Sequence, residues 1–397
     1  MANTFKFGNG EWAVGKETAL AYNDENSNFK PLPFTFDRAS TATVVNKQGL
    51  IETVGTDEPR IDFLNNTKGH LLLEPSRQNV ITYSEDFSDS SWTKVNTTIT
   101  SNNTTSPDGT INATLCDYGS GSYINTGFAS TGDTDVTVSV FAKADSVSSL
   151  RIRESFYIGS SCVYDLNLGT ASAGGTIDNY GNGWYRCSFT YNLAAGQTNV
   201  NFIFDSNTQI GSLFLWGATC ELASYATSYI PTQGSAATRS VDFTKIVNSP
   251  ILQGTNQFTL FFEAKDFLIV NGTNVSFSNL MLVFGAGESA YDSGTGIHIY
   301  DRTWFYYNGS SAVHVGVCYN GLVDSKFAIS YDGTKFTRYA GGVKLGEYTA
   351  SASMVNWDTI TTGANTDVEN DDRVFNLSDL RLYNTALTDA ELIALTS

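Results

Sequence analysis

The sequence contains few charged residues, few prolines and no long apolar run. Charged residues make up 16% of its 397 residues, and only seven residues are proline. Exposed helix faces usually carry Glu, Lys and Arg, so this shortage disfavours a helical protein. No run of about 18 apolar residues occurs, and the first stretch, "MANTFKFGNGEWAVGKE", lacks the apolar core of a secretion signal. We therefore expect no membrane insertion, and synthesis in the cytoplasm without a signal peptide.

Basic residues are scarce as well. The chain has 23 Lys and Arg against 40 Asp and Glu, which gives a formal net charge of -17. Binding to nucleic acid depends on basic side chains that neutralise phosphates, so this composition argues against a nucleic-acid partner. The same reasoning disfavours an anionic membrane surface. Neutral glycans, cations and other proteins remain as classes of partner.

The cysteines do not follow a pattern that indicates a disulfide framework or a zinc site. Their number is odd and no two have CxxC spacing: they are Cys116, Cys162, Cys187, Cys220 and Cys318. Cys187 and Cys220 lie in strand-like runs, where we expect small reduced core residues. A disulfide between two of the five is the alternative.

Thr, Ser, Asn and 35 Gly are abundant between short apolar runs, which is typical of an all-β protein with many turns. Period-two alternation predicts buried strand faces at Val136, Val138 and Val140, at Val200, Phe202 and Phe204, and at Phe258, Leu260, Phe262 and Ala264. "SLFLWGATCEL" is apolar on both faces, as a central strand would be. A helix is predicted at "ALTDAELIALTS", where Thr388 and Glu391 have the spacing of a capping box.

Several short motifs resemble a module of tailed-phage and prophage structural proteins. They are "LLLEPSRQN", followed by "SEDF" and a Trp, then "SPDG", "NGWYRCS" and "LWGATCEL…TSYIPTQGSAATRSVD". The match covers roughly residues 34 to 242 and implies a virion module with a carbohydrate-binding-type jelly roll. Further on, "AISYDGTKFTRYAGG" and "LRLYNTALTDAELIAL" resemble concanavalin A-like, laminin-G-type sandwiches.

The pattern and the resemblance together predict two antiparallel β-sandwich (jelly-roll) domains, an extended N-terminal attachment segment before them, and one short C-terminal helix. The predicted limits are 1–35 for the attachment segment and 36–80 for a short-strand connecting module. The carbohydrate-binding-type sandwich is predicted at 81–240 and the concanavalin A-like sandwich at 241–397. Residues 1–35 show no regular period, so we expect them to gain order by packing on the rest of the chain or on a partner. The candidate residues for attachment to the virion are Phe5, Phe7, Trp12 and Tyr22.

The acid and the base of "LLLEPSRQN" have two interpretations. Glu74 and Arg77 close an apolar run, and either a catalytic site or a structural ion pair at a junction between modules would account for them. We favour the ion pair, because charged pairs are more often structural than catalytic.

The sequence offers no catalytic motif. Glycoside hydrolysis needs two carboxylates that flank the scissile bond. Neither "FFEAKD" nor "VENDD" has carboxylates at the required alternate positions along a strand. HExxH, GxSxG and Walker motifs are missing as well. We therefore expect a protein that is not an enzyme. Carboxylates brought together from distant strands are the alternative.

The candidate glycan site is an aromatic stretch near a turn, "IYDRTWFYYNGSS". Flat aromatic faces beside Asn and Asp suit a sugar, whose C–H face is apolar and whose rim is polar. The candidates are Tyr300, Asp301, Trp304, Tyr306, Tyr307 and Asn308, against the alternative that one face of this strand is core. Trp92, Tyr225 and Tyr229 are candidates of second rank, and Trp184 and Trp216 are expected in the core.

Calcium is the one cofactor that we consider. "NTDVENDD" brings together Asp367, Glu369, Asp371 and Asp372, whose hard oxygen ligands suit Ca²⁺. The spacing is not that of an EF-hand, and a solvated acidic loop is the simpler interpretation.

These expectations combine into one hypothesis with two alternatives. We predict a structural protein on the surface of a phage particle, a head or tail fibre or a capsid decoration, that adheres to host-surface or environmental glycans. Its other partners would be virion proteins bound through the N-terminal segment and further copies of itself in a homo-oligomer. The alternatives are a capsid-decoration protein that binds no glycan, and a polysaccharide depolymerase.

Overall fold

The structure is a computed structural model. It describes residues 4–10, 12–15, 18–23, 28–130, 134–154, 160–193, 195–197, 199–246, 256–265, 280–285, 295–300, 303–308, 312–317, 325–350, 359–363 and 375–397. Within these residues the chain is nearly all β, as predicted, with one short helix near its end. None of the helices described is long and apolar enough to cross a membrane.

The elements are named in chain order, in two groups of sixteen. The first is β1 (Thr4–Gly8), β2 (Ala13–Gly15), β3 (Thr18–Asn23), β4 (Asn28–Asp37), β5 (Ala42–Val45), β6 (Ile51–Val54), β7 (Ile61–Asp62), β8 (His70–Leu73), β9 (Arg77–Asn79), β10 (Thr93–Thr105), β11 (Ile111–Ala129), β12 (Thr134–Ala144), β13 (Ser149–Glu154), β14 (Ser161–Asp165), β15 (Thr170–Ala171) and β16 (Gly175–Gly181). The second is β17 (Trp184–Leu193), β18 (Asn199–Asp205), β19 (Gly211–Glu221), β20 (Ala237–Arg239), β21 (Phe243–Ile246), β22 (Phe258–Lys265), β23 (Leu280–Gly285), β24 (Thr295–Tyr300), β25 (Thr303–Asn308), β26 (Ala312–Val317), β27 (Ser325–Tyr331), β28 (Lys335–Ala340), β29 (Val343–Thr349), β30 (Thr359–Gly363), β31 (Phe375–Tyr383) and α1 (Asp389–Thr396).

The chain forms two compact units, and each collects separate stretches of sequence. Unit 1 comprises Met1–Thr41, Val54–Ser76 and Ser240–Ser397, and unit 2 comprises Ala42–Thr53 and Arg77–Arg239. The chain therefore passes between the units four times. Residues 36–80, predicted as one connecting module, are shared between the two units.

Unit 2 contains an antiparallel array in the order β15-β14-β13-β18-β11-β19-β12-β17-β16, and β10 also pairs with β11. The 19-residue strand β11 pairs with β19 through its first part and with β18 through its last part, so it belongs to both halves of the array. The core is apolar and fully enclosed, with Val138, Phe202 and Leu215 at 0% exposure. Trp92 packs into it against Phe87, with ring centroids 4.9 Å apart.

Unit 1 is a continuous antiparallel ladder. Its strands pair in the order β29-β28-β27-β22-β31-β1-β3-β4-β21-β30-β23-β24-β25-β26. The segment without a regular period thus forms strands, and β1, β3 and β4 connect the two halves of the ladder. Of the two ways in which residues 1–35 were expected to gain order, packing on the rest of the chain is the one observed.

The predicted strand faces are confirmed. The three residues of each face in β12 and β18 are at most 1% exposed, and those of β22 at most 4%. The run predicted as a central strand is β19, which lies between β11 and β12. The predicted capping box is present, because the Thr388 side chain accepts from Glu391 N and the Glu391 side chain accepts from Thr388 N.

Candidate functional site

The predicted glycan stretch forms two paired strands, but its side chains lie outside the described residues. β24 and β25 pair with Tyr300 opposite Thr303 and with Ile297 opposite Tyr306. The stretch therefore forms a hairpin, and Asp301 belongs to the part of the chain that is not described. Trp304, Tyr306, Tyr307 and Asn308 lie on β25, and their role as sugar contacts stays a prediction.

The predicted calcium site is not described either, because its four acidic residues fall in 364–374, outside the described residues. Elsewhere in the described chain, no group of three or more His, Cys, Asp or Glu is placed to hold a metal ion.

Among the attachment candidates, Phe5 and Phe7 lie on β1 and Tyr22 lies on β3. The indole Nε1 of Trp12 donates to the carbonyl oxygen of Lys68 at 2.8 Å, so this ring is tied to unit 1.

The carboxylate of "LLLEPSRQN" belongs to a buried ion network in unit 1. Glu74 Oε2 accepts from Arg60 Nη1 at 2.7 Å, and Arg60 Nη2 donates to Asp242. Arg38 Nη1 donates to the second oxygen of Asp242 at 3.1 Å. Burial alone would lower the pKa of Arg60, but the two carboxylates outweigh it and hold the pKa above its ordinary value.

The structural role expected for Glu74 is supported, because its buried carboxylate pairs with Arg60. Arg77 belongs to the other compact unit, and its pairing with Glu74 stays a prediction. Arg77 Nη2 donates to the hydroxyl of Tyr225 at 3.3 Å, and its guanidinium lies 5.4 Å from the centre of that ring.

A second buried network, in unit 2, joins the motifs that carry the phage resemblance. Glu221 of "LWGATCEL" accepts from the backbone N–H and the hydroxyl of Thr227, at 3.0 and 2.6 Å. Arg186 of "NGWYRCS" donates to the Thr227 carbonyl at 2.5 Å, and Arg239 donates to the Thr227 hydroxyl at 3.0 Å. Burial raises the pKa of Glu221, although the hydrogen bonds of Thr227 and the two arginines oppose the rise. These motif residues therefore hold the fold together and do not face a ligand.

The aromatic residues of second rank are core residues. Trp92, Tyr225 and Tyr229 are 1%, 7% and 4% exposed, so none presents a face to a sugar. Trp184 and Trp216 are buried as expected, at 2% and 1%.

A polar cleft in unit 2 is the strongest candidate for a binding site. Its volume is about 500 Å³, within the range of small-molecule sites, roughly 300–1,000 Å³. The lining residues are Tyr83, Glu85, Asp86, Ser88, Ser101, Asn102, Asn112, Thr114, Pro231, Thr232 and Gln233. We call it the polar cleft. Sequence analysis missed it because its residues come from four stretches of chain, although two of these include the "SEDF" and "YIPT" motifs.

Hydrogen bonds between those two motifs build the floor of the polar cleft. The Ser84 hydroxyl accepts from Thr232 N at 2.8 Å and lies 2.8 Å from the Tyr229 hydroxyl. Tyr229 donates in turn to Glu85 Oε1 at 2.8 Å. Asn112 Nδ2 donates to Glu85 Oε2 at 3.2 Å, which fixes the carboxyl group from its other side.

Three lining residues of the polar cleft carry a buried oxygen atom that the described residues do not satisfy. Thr114 Oγ1, Thr232 Oγ1 and Asn112 Oδ1 are enclosed and have no hydrogen-bond partner in the described part of the chain. Thr114 and Thr232 are 1% and 8% exposed. Buried polar atoms normally have partners, so these three oxygens have unused hydrogen-bonding capacity beside the polar cleft.

Two carboxyl residues, Glu85 and Asp86, line the polar cleft. Burial raises the pKa of Glu85, the hydrogen bond from Tyr229 opposes the rise, and the negative charge of Asp108 adds to it. Asp108 accepts bonds from Ser106, Thr110 and Asn112 around its own turn and is not part of the lining. Asp86 accepts from the backbone N–H and hydroxyl of Ser88 at 3.0 and 2.5 Å.

Comparison with known proteins finds likeness in structure only. No protein-family model matches the sequence, and no curated protein does. A carbohydrate-binding module (CBM40) of a Ruminococcus gnavus sialidase, bound to α2,3-sialyllactose, is 17% identical with a TM-score of 0.27, covering 36% of this chain and 84% of that one. Domain 4 of a Geobacillus stearothermophilus GH43 arabinanase, in complex with arabinotriose, is 16% identical with a TM-score of 0.32, covering 44% and 83%. The botulinum neurotoxin serotype G binding domain is 12% identical with a TM-score of 0.29, covering 39% and 42%. Likenesses this weak do not identify a ligand for this chain.

Proposed function

We propose that this chain is a surface component of a phage particle and that unit 2 binds a glycan in the polar cleft. The observation that carries the glycan part is the set of unsatisfied buried oxygens of Thr114, Thr232 and Asn112. A saccharide presents several hydroxyl groups that both donate and accept, so one sugar ring can satisfy several of these atoms together. The Tyr83 side chain, which also lines the cleft, supplies an aromatic surface of the kind that sugars contact.

The virion part of the proposal is supported by the motif resemblance. Display as a head or tail fibre or a capsid decoration, attachment to virion proteins through residues 1–35, and assembly into a homo-oligomer belong to the same proposal. Because β1 and β3 pair within unit 1, attachment would have to use edges and side chains that this pairing leaves accessible.

The test exploits the lack of protein partners for the two threonine hydroxyls. The variants Thr114→Val and Thr232→Val remove one hydroxyl each and keep the shape of the side chain. Since no protein hydrogen bond is lost, thermal stability should be unchanged or slightly higher. A hydrogen bond to a ligand contributes roughly 0.5–1.5 kcal/mol, so each variant should bind an array-selected bacterial-surface oligosaccharide about two- to tenfold more weakly.

Thr219→Val is the matched control. The Thr219 hydroxyl is also buried and unsatisfied, but it does not line the polar cleft. The control should retain full affinity. If the full-length chain bound none of the arrayed oligosaccharides, the proposal would fail and a purely structural decoration protein would replace it. Reducing ends released from a bound polysaccharide would instead establish a depolymerase.

A further inference from the structure

A basic patch lies on the outer face of unit 2, and none of its residues lines the polar cleft. Strand β13 alternates between faces, so Leu150 and Ile152 are fully buried while Arg151 and Arg153 point outward. Both arginines pair with Asp205 on β18, and the Arg153 guanidinium also lies 5.7 Å from the centre of the Tyr123 ring.

The patch carries an excess of positive charge in a chain of net charge -17. Arg151 binds Asp205 through Nε and Nη2, each at 2.9 Å, and Arg153 binds the same carboxylate through Nε alone, also at 2.9 Å. Two guanidinium groups thus share one carboxylate, which leaves a net charge of +1. The arginine side chains are 27% and 29% exposed, whereas that of Asp205 is 4% exposed. The positive groups face the solvent and the acid lies beneath them.

A groove formed largely by β11 and β18, the second of which carries Asp205, could hold the uncharged part of a ligand. Its volume is about 480 Å³, and its lining includes Asn125, Gly127 and Asn201. Asn125 Nδ2 donates to Asn201 Oδ1 at 3.1 Å, so the two amides form a paired polar platform. A side chain at Gly127 would meet the Val200 carbonyl oxygen at 2.5 Å, which is too close, so this part of the groove stays open only with glycine.

The groove and the patch lie at the same level of the sheet, on either side of β18. Arg153 lies opposite Ile203 on β18, and Ile203 lies opposite Asn125 on β11. Neighbouring strands are about 4.8 Å apart, so the backbones of Arg153 and Asn125 are separated by roughly 10 Å. One or two sugar rings span that distance.

We propose that this face is a second saccharide site, specific for an acidic sugar. The carboxylate or sulfate group would bind the exposed nitrogens of Arg151 and Arg153, and the sugar ring would lie over the Asn125–Asn201 platform. The inference extends the proposed glycan binding to a different surface and names the class of ligand. A planar guanidinium suits this role because its parallel N–H groups match the two oxygens of a carboxylate.

The test compares matched ligands that differ only in charge. Full-length protein is titrated calorimetrically with a galacturonic acid tetramer and with its methyl ester, which has the same rings without the charges. The acid should bind at least tenfold more tightly than the ester, and its affinity should fall as salt is added. Tetrasaccharides of hyaluronan and of a sulfated galactan widen the range of acidic probes, and inorganic sulfate is included as a simple anion.

Arg153→Gln is the diagnostic variant. It removes the excess charge and leaves the Arg151–Asp205 pair intact, so the sheet should remain folded. Loss of one charge-assisted hydrogen bond should weaken binding of the acidic tetramer by about tenfold or more. Lys47→Gln removes one positive charge from an exposed turn of the same unit and should leave the affinity unchanged. Thr219→Val should also leave it unchanged, because that residue lines neither the groove nor the polar cleft.

The inference would be overturned by equal affinity for acid and ester, by unaltered binding in Arg153→Gln, or by no binding of any of the three acidic probes at millimolar concentration. Inorganic sulfate that bound as tightly as the acidic tetramer would show a simple anion site and overturn the saccharide assignment. Acid binding that depends on Arg153, with no effect of the polar-cleft variants on any ligand, would support this site and reject the other. The two proposals can therefore fail separately.

Discussion

Replacing Asp242 with asparagine should severely destabilise unit 1. Asp242 accepts from Arg38, Arg60 and the backbone N–H of Glu74, the last at 2.9 Å. The side chains of Asp242 and both arginines are 0% exposed. Asp242→Asn keeps the shape of the side chain but removes the buried negative charge that both guanidinium groups contact.

The magnitude follows from the cost of losing such a charge. Removing one partner of a buried ion pair costs about 3–5 kcal/mol. For a unit of about 150–250 residues, 1 kcal/mol lowers the midpoint of thermal unfolding by about 2–4 °C, so a drop of about 6–20 °C is expected. Calorimetry measures the midpoint. Hydrogen exchange of peptides from β8 and from β12 shows whether unit 1 or unit 2 has opened.

Glu347→Gln provides the control in the same unit. Glu347 pairs with Lys344 at 2.8 Å and Lys335 at 3.5 Å, but its side chain is 45% exposed, and solvent screens such pairs. This variant should have almost no effect on the midpoint. If Asp242→Asn shifted the midpoint no more than Glu347→Gln, or if the β12 peptides opened first, the assignment of a buried ion network would be wrong.

Two further predictions concern buried titratable groups of unit 2. The pKa of Glu221 is higher in the folded chain than its ordinary value of 4.5, so the free energy of unfolding should fall as pH rises from 4.5 through the raised pKa. Urea unfolding at several pH values should show this slope in the wild type and a flatter one in Glu221→Gln; equal slopes would refute it. Burial raises the pKa of Cys116 to about 12 and also raises those of Cys187 and Cys220, so these thiols should resist iodoacetamide at neutral pH and react only after unfolding. Peptide mass spectrometry would report the sites, and rapid labelling of Cys116 in the native protein would contradict the packing.

The sequence predicted the features that arise from short-range order. Apolar residues at every second position predicted the buried faces of β12, β18 and β22, because successive side chains of a strand point to opposite sides. The Thr388 capping box was visible for a similar reason, since its two partners are three residues apart. The strands of residues 1–35 were not predicted, because β1 pairs with β31 near the other end of the chain and no local period records such a pairing.

The candidate sites show the same limit. Glu74 was correctly read as structural, but its contacts with Arg60 and Asp242, 14 and 168 residues away, could not be predicted from local sequence. The polar cleft depends on Thr114 and Thr232, which look like ordinary β-strand and turn residues. Only their burial without hydrogen-bond partners distinguishes them, and that is a property of the packed structure.

The four passages of the chain between the units have a consequence for biosynthesis. Domains generally fold as units while the chain emerges from the ribosome. Every segment of unit 2 has been made once Arg239 has been added, whereas unit 1 also needs Ser240–Ser397. Unit 2 can therefore fold first, at a time when the strands of Ser240–Ser397 that pair with residues 1–41 and 54–76 have not yet been made. During that interval β1 lacks its partner β31 and β4 lacks its partner β21, and unpaired strand edges are the places where chains associate wrongly. The yield of native protein should then depend on how quickly the last 158 residues follow.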